Sequence, residues 1–126
     1  MRIRPLLALL TLALMFAPVA LAGSKDRFSG GVNGDGISAR YTVAAEGKRA
    51  CVTLDDPGTT ASNPIEDLSF TARDGKKKVR FSHPDPAAAE LCRKARKFAA
   101  ALRETKTVKA VAFGQYGGTA KGTLKR

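Results

Sequence analysis

Apolar and polar residues alternate through Ile37, Ala39, Tyr41 and Val43, and again through Ala50, Val52 and Leu54. This is the period of strands with one buried face. Glu46-Gly47 separates the two runs. A two-residue turn there sets Val43 opposite Ala50 and Tyr41 opposite Val52, all on one face. The stretch LSFTARDGKKKVRF repeats the arrangement around Asp74-Gly75, a pair that favours a type I′ hairpin. Phe70 then faces Val79 and Leu68 faces Phe81, while Ser69, Thr71, Lys78 and Arg80 occupy the other side.

The period then changes. Asp85 is suited to cap a helix and Pro86 to open its first turn, after which Ala88, Leu91, Cys92, Ala95, Phe98, Ala99 and Leu102 recur at helical spacing. TVKAVAFG is apolar on both parities, as in a strand covered on both faces. GQYGG turns the chain into a last weak strand, TAKGTLK. The expected fold is one small α+β domain over residues 37–126: an antiparallel sheet of about six strands in three hairpins, with one amphipathic helix packed on it. Residues 23–36 contain GGVNGDG, which shares composition with a phosphate-binding loop but lacks its Lys-Ser/Thr and a following helix. They are read as a flexible glycine-rich lead-in.

The first residues change the setting. Arg2 and Arg4 precede an apolar run over 6–16, and Ala20-Leu21-Ala22 supplies a small-x-small cleavage site. Residues 1–22 therefore read as a cleaved signal peptide, with a mature chain starting at Gly23 in the periplasm or outside the cell. The apolar run is too short to span a bilayer, which takes about 20 residues. Export to an oxidising compartment favours a disulfide between the two cysteines, Cys51 and Cys92. Strand parity leaves a conflict here. Cys51 shares a polar face with Arg40, Thr42 and Thr53, whereas Cys92 falls on the helix's apolar face. Pairing them requires the first hairpin at a sheet edge, a bulge near Cys51, or a helix on the face read as polar.

Charge separates the two halves of the chain. Residues 23–70 hold five Lys or Arg against seven Asp or Glu, and residues 71–126 hold fifteen against four. Between Arg73 and Lys97 there are nine bases and three acids, and a surface built only for solubility mixes the signs. Lys76, Lys78, Arg80, Arg93, Lys94, Arg96 and Lys97 are accordingly the candidate binding residues, on the second hairpin and the helix. Their expected partner is an anionic envelope polymer, an anionic membrane surface or an acidic protein. Nucleic acid is disfavoured, because the aromatics of the basic half, Phe70, Phe81 and Phe98, are assigned to the core rather than to stacking.

Catalytic and metal chemistry find little support in these residues. His83 sits near Asp85 in SHPDP, but a triad also needs a placed nucleophile and no Gly-x-Ser-x-Gly occurs. A zinc site wants three or four ligands, and His83 is the only histidine. Asp55-Asp56-Pro57-Gly58 reads as a strand end entering a turn. No cofactor is implied. The expected function is that of a non-enzymatic binding protein; the alternatives are an inhibitor acting through the loop at 55–63 or 115–118, and less strongly a small hydrolase.

Overall fold

The computed structural model describes residues 26–58 and 63–126. The expected leader, the processing site before Gly23 and the middle of the 55–63 loop lie outside the described residues. Along the chain run β1 (Arg27–Gly34), β2 (Ile37–Glu46), β3 (Arg49–Asp56), β4 (Ile65–Asp74), β5 (Lys77–His83), β6 (Glu90–Lys94), a helix α1 (Arg96–Glu104), β7 (Thr107–Gly114) and β8 (Thr119–Lys125). Every strand pairing is antiparallel, in one sheet ordered β5-β4-β7-β8-β1-β2-β3-β6. The helix touches β4 and β5 at one end of that order and β2 and β3 near the other. A sheet that meets one nine-residue helix with both ends is curled, and the result is a half-barrel with α1 in its concavity.

Eight strands replace the expected six, and the two additions have separate causes. Residues 27–34, expected to be a flexible lead-in, form β1. Phe28 and Val32 are buried in the core, and Asp35 and Gly36 take φ of 48° and 76°, the pair of left-handed residues that a type I′ turn requires. Glycine here serves close approach rather than flexibility: a Cβ on Gly122 of β8 would run into the Gly31 carbonyl oxygen. The second addition is β6, taken from the expected helix. Its five residues pair with β3, Leu91 opposite Val52 and Cys92 opposite Cys51, and the backbone bonds Leu54 N to Ala89 O and Ala95 N to Lys48 O extend the ladder. Covering an otherwise open sheet edge outweighs the helical preference of alanine and leucine. The helix starts only at Arg96, uncapped by any side chain, and Asp85 instead closes a turn in which its carbonyl accepts Ala88 N–H.

This also removes the parity conflict, because Cys92 is not on a helix. The Cys51–Cys92 disulfide joins directly opposed residues of neighbouring strands on the convex face, with Cα atoms 4.0 Å apart. It is consistent with an oxidising, exported location.

Both expected hairpins form with their turns displaced by one residue. Gly47 and Gly75 take φ of 61° and 65°, and the lysine after each keeps a negative φ. Glycine thus occupies the first central position, the type II′ arrangement, rather than the second, as type I′ would have it. Val43 consequently faces Val52 and Tyr41 faces Leu54. Phe70 faces Phe81, Ala72 faces Val79 and Leu68 faces His83. Side-chain parity survives, so the buried set is the expected one: Phe70 meets Tyr41 edge-on at 5.9 Å, and Phe81 stacks on Phe98 of α1 at 5.2 Å. Phe98, Ala99, Ala101 and Leu102 are the buried residues of the helix. At its C-terminal end Arg126 donates to the carbonyls of Leu102 and Arg103 and lies over the Phe28 ring, a cation placed where the helix dipole favours it. One further expectation fails. β7 is covered on one face only: Val108, Ala110 and Ala112 are buried, while Lys109 and Phe113 are exposed. Among the described residues no helix is long and apolar enough to cross a membrane.

Candidate anion-binding face

Register decides which side chains meet on the convex side. Thr71 of β4 pairs with Arg80 of β5 and with Lys109 of β7, and Lys109 pairs with Thr123 of β8. One row along, Arg73 pairs with Lys78, and Thr107 with Lys125; Val111 pairs with Ser69 on one side and Lys121 on the other. Alternation puts all of these on the same face of the β5-β4-β7-β8 half. Arg73, Lys78, Arg80, Lys109, Lys121 and Lys125 therefore project outward together from four adjacent strands, all exposed. The one ion pair among the described residues, Arg103 with Asp26 at 3.8 Å, involves none of them. The other half of the convex side is of mixed sign, with Arg27, Arg40, Arg49 and Lys94 exposed beside Glu46, Asp55 and Glu90. A shallow hollow beside the disulfide is lined by Glu46, Asp55 and Glu90 with Arg27.

Within the basic half the surface is grooved. Thr71, Arg73, Lys78, Thr105, Thr107, Lys109 and Val111 line an open depression of about 250 Å³. Thr105 is fixed by accepting Arg73 N–H at 3.3 Å and donating to the Thr107 carbonyl at 2.7 Å, so it holds the β4–β7 junction rather than facing a ligand. A second, smaller depression of about 40 Å³, at the far end of the same strands, is lined by Asp67, Ser69, Arg80, Ser82, Val111 and Phe113 among others. Val111 borders both. The two form one trough running along β4 and β7, cationic at the Arg73 end and aromatic at the Phe113 end.

The seven candidate residues do not share this surface. Lys78 and Arg80 belong to it, and Lys76 sits in the β4–β5 turn beside it. Arg93 and Lys94 lie on β6, at the opposite end of the strand order. Arg96 and Lys97 open α1, which packs on the concave side. Lys109 and Phe113 are not legible as surface because β7 reads as apolar on both parities, and Arg73, Lys121 and Lys125 join the face only through the pairing of β4 and β8 with that strand. The alternating Lys109, Lys121 and Lys125 were the available signal.

His83 borders the smaller depression from below and Cys51 the hollow beside the disulfide. His83 is buried, and its Nδ1 accepts the Asp85 N–H at 3.1 Å, while Nε2 has no partner. Burial lowers its pKa, with the Asp85 charge acting in the opposite sense. Glu46 lies close to Cys51 and Cys92, but both sulfurs are committed to the disulfide and offer no thiolate to a metal. Asp56 accepts Gly58 N–H through its side chain at 2.9 Å, the strand-to-turn role expected of it. No family model, curated protein or solved structure matches this chain.

Proposed function

We propose that this protein is a small exported, non-enzymatic binding protein that engages an anionic partner through the convex face of β5-β4-β7-β8. The observation that carries this reading is the gathering of six unpaired cations on four adjacent strands, Arg73, Lys78, Arg80, Lys109, Lys121 and Lys125. Like charges brought together without ion-pair partners cost folding energy, and an anionic partner recovers it. An acidic envelope polymer, an anionic membrane surface and an acidic protein all satisfy that requirement. The leader-like residues 1–22 and the disulfide support the exported setting.

The test compares two fourfold charge reversals on immobilised dextran sulfate. Lys78, Arg80, Lys109 and Lys121 are changed to Glu in one variant, and Arg93, Lys94, Arg96 and Lys97 in the other. The wild type should bind with steep salt dependence, weakening several hundred-fold between about 50 and 200 mM salt if about five charges are neutralised, by analogy with counterion release from DNA. The convex-face variant should lose binding and the β6–α1 variant keep most of it. Undiminished binding by the convex-face variant would move the function to an exposed loop, as in the inhibitor reading.

A further inference from the structure

Resting on that reading, we infer that the partner is a linear acidic polysaccharide, lying along the β4–β7 trough with its acidic substituents on the cations and its sugar rings against Phe113 and Tyr116. Three observations lead there. The first is shape. The two depressions meet at Val111, and from Thr107 to Phe113 the trough follows six residue steps of β7, about 20 Å at the rise of a strand. A trough of that length accepts one extended chain. A flat bilayer meets the rim but not the floor, and a compact protein fills one depression rather than the length of both.

The second is the chemistry of the far end. Phe113 is 44% exposed and Tyr116 75% exposed, the only large apolar side chains so open among the described residues. Both lie at the same end of the trough, Phe113 in its lining and Tyr116 in the loop that follows β7. Asp67 stands beside Phe113 in the smaller depression, with Ser69 and Ser82. A carboxylate repels phosphate or another carboxylate but accepts hydrogen bonds from hydroxyls. Aromatic faces carry negative potential that attracts polarised C–H groups. A hydroxyl-rich ring satisfies Asp67, the serines and Phe113 together, whereas an unbroken polyphosphate satisfies the serines and Arg80 but is repelled by Asp67 and leaves Phe113 uncovered.

The third is rigidity. Asn63 grips the 115–118 loop twice, donating from Nδ2 to the Gly117 carbonyl at 3.1 Å and accepting Tyr116 N–H at Oδ1 at 3.1 Å. Gln115 N–H donates to the Pro64 carbonyl at 2.7 Å, and Thr119 N–H to Asp35 Oδ2 at 2.8 Å. Tyr116 is thus presented on a fixed backbone between Gln115 and two glycines, which reduces the ordering cost of binding.

Titration calorimetry with the folded exported chain tests this, using probes matched in charge: polygalacturonate and dextran sulfate as glycans, linear polyphosphate and polyglutamate as ring-free polyanions, a single-stranded oligonucleotide, and phosphatidylglycerol vesicles. The double change Phe113→Ala with Tyr116→Ala removes exposed side chains, and an unchanged Tm confirms its fold. The glycans should bind at least about tenfold tighter than the ring-free polymers, and the double variant should lose about that factor for glycans only. Asp67→Lys should raise polyphosphate affinity and lower glycan affinity. Equal binding of all polyanions, indifferent to the aromatic pair, overturns the glycan inference and leaves the anion-binding reading standing. Tighter, aromatic-dependent binding of the oligonucleotide or the vesicles overturns it in favour of that class. Binding to none of the probes overturns both.

Discussion

At the residue scale, burial of two titratable side chains makes stability depend on pH at both ends of the range. His83 is pushed below its usual value, so the unfolded chain takes up a proton before the folded one does. The contribution of His83 is complete above the unfolded value of about 6.5 and falls as the pH drops below it. Melting temperatures between pH 7.5 and 5.5 should decline less for His83→Asn, whose side-chain oxygen replaces Nδ1 as acceptor for Asp85 N–H, than for the wild type. Tyr41 is pushed up to about 12 by burial, and its hydroxyl donates to the Pro86 carbonyl at 3.3 Å. Its contribution is therefore intact up to about pH 10 and is lost as the pH rises toward 12. Phe70 tests the core directly. It has no exposure, and Phe70→Ala should cost about 3–5 kcal/mol in a denaturant titration, against little for Lys78→Ala on the opposite face. That contrast was legible in the sequence, since alternation alone separates Phe70 from Lys78. The burial of His83 was not, because a polar residue between Ser82 and Pro84 gives no sign that its strand continues inward.

Elements were legible where local pattern and tertiary pairing agree. The second and third strands along the chain and the β4–β5 hairpin follow from alternation and glycine turns; the β7–β8 hairpin follows from its glycine turn alone, since β7 reads as apolar on both parities. β1 was missed because its glycines imitate a flexible segment, although Phe28, Val32 and the Asp35-Gly36 turn carry a strand signal within it. β6 was missed for a different reason. Nothing local distinguishes ELCRK from a helical turn, and only the open edge of β3, a feature of the assembled sheet, selects the extended form. The disulfide anchors that selection. It closes a separation of 41 residues, and in the chain-entropy model its loss removes about 4 kcal/mol. Cys51→Ala with Cys92→Ala should lower the melting temperature markedly. Amide exchange should accelerate first in β6, whose ladder is short and at an edge, and least in β7, which is paired on both sides. Uniform acceleration across the sheet would mean that β6 is held by its own pairing.

At the scale of the whole molecule, the half-barrel turns a chain-level charge imbalance into a spatial one. The acidic first half of the sequence supplies β1, β2, β3 and the start of β4, and the basic second half supplies the rest. The sheet order gathers β5, β4, β7 and β8 on one side of the β8–β1 seam and leaves only β6, with Arg93 and Lys94, from the basic half on the other. Composition made the imbalance visible. The face that carries it depended on the register of β7, and no single-strand reading could supply that. The same seam also governs when the fold can form. Before β8 is present, the strands fall into two separate sheets, β1-β2-β3-β6 and β5-β4-β7, linked on the concave side by α1. β8 alone pairs with both. A chain ended after Gly118 should be cut by protease at concentrations that spare the chain ending at Arg126, and adding residues 119–126 as a peptide should restore part of the protection. A strand that lies between two part-sheets and pairs with both acts as a keystone. Until it docks, each part-sheet keeps an unpaired edge, and the arch closes only when both edges are filled together.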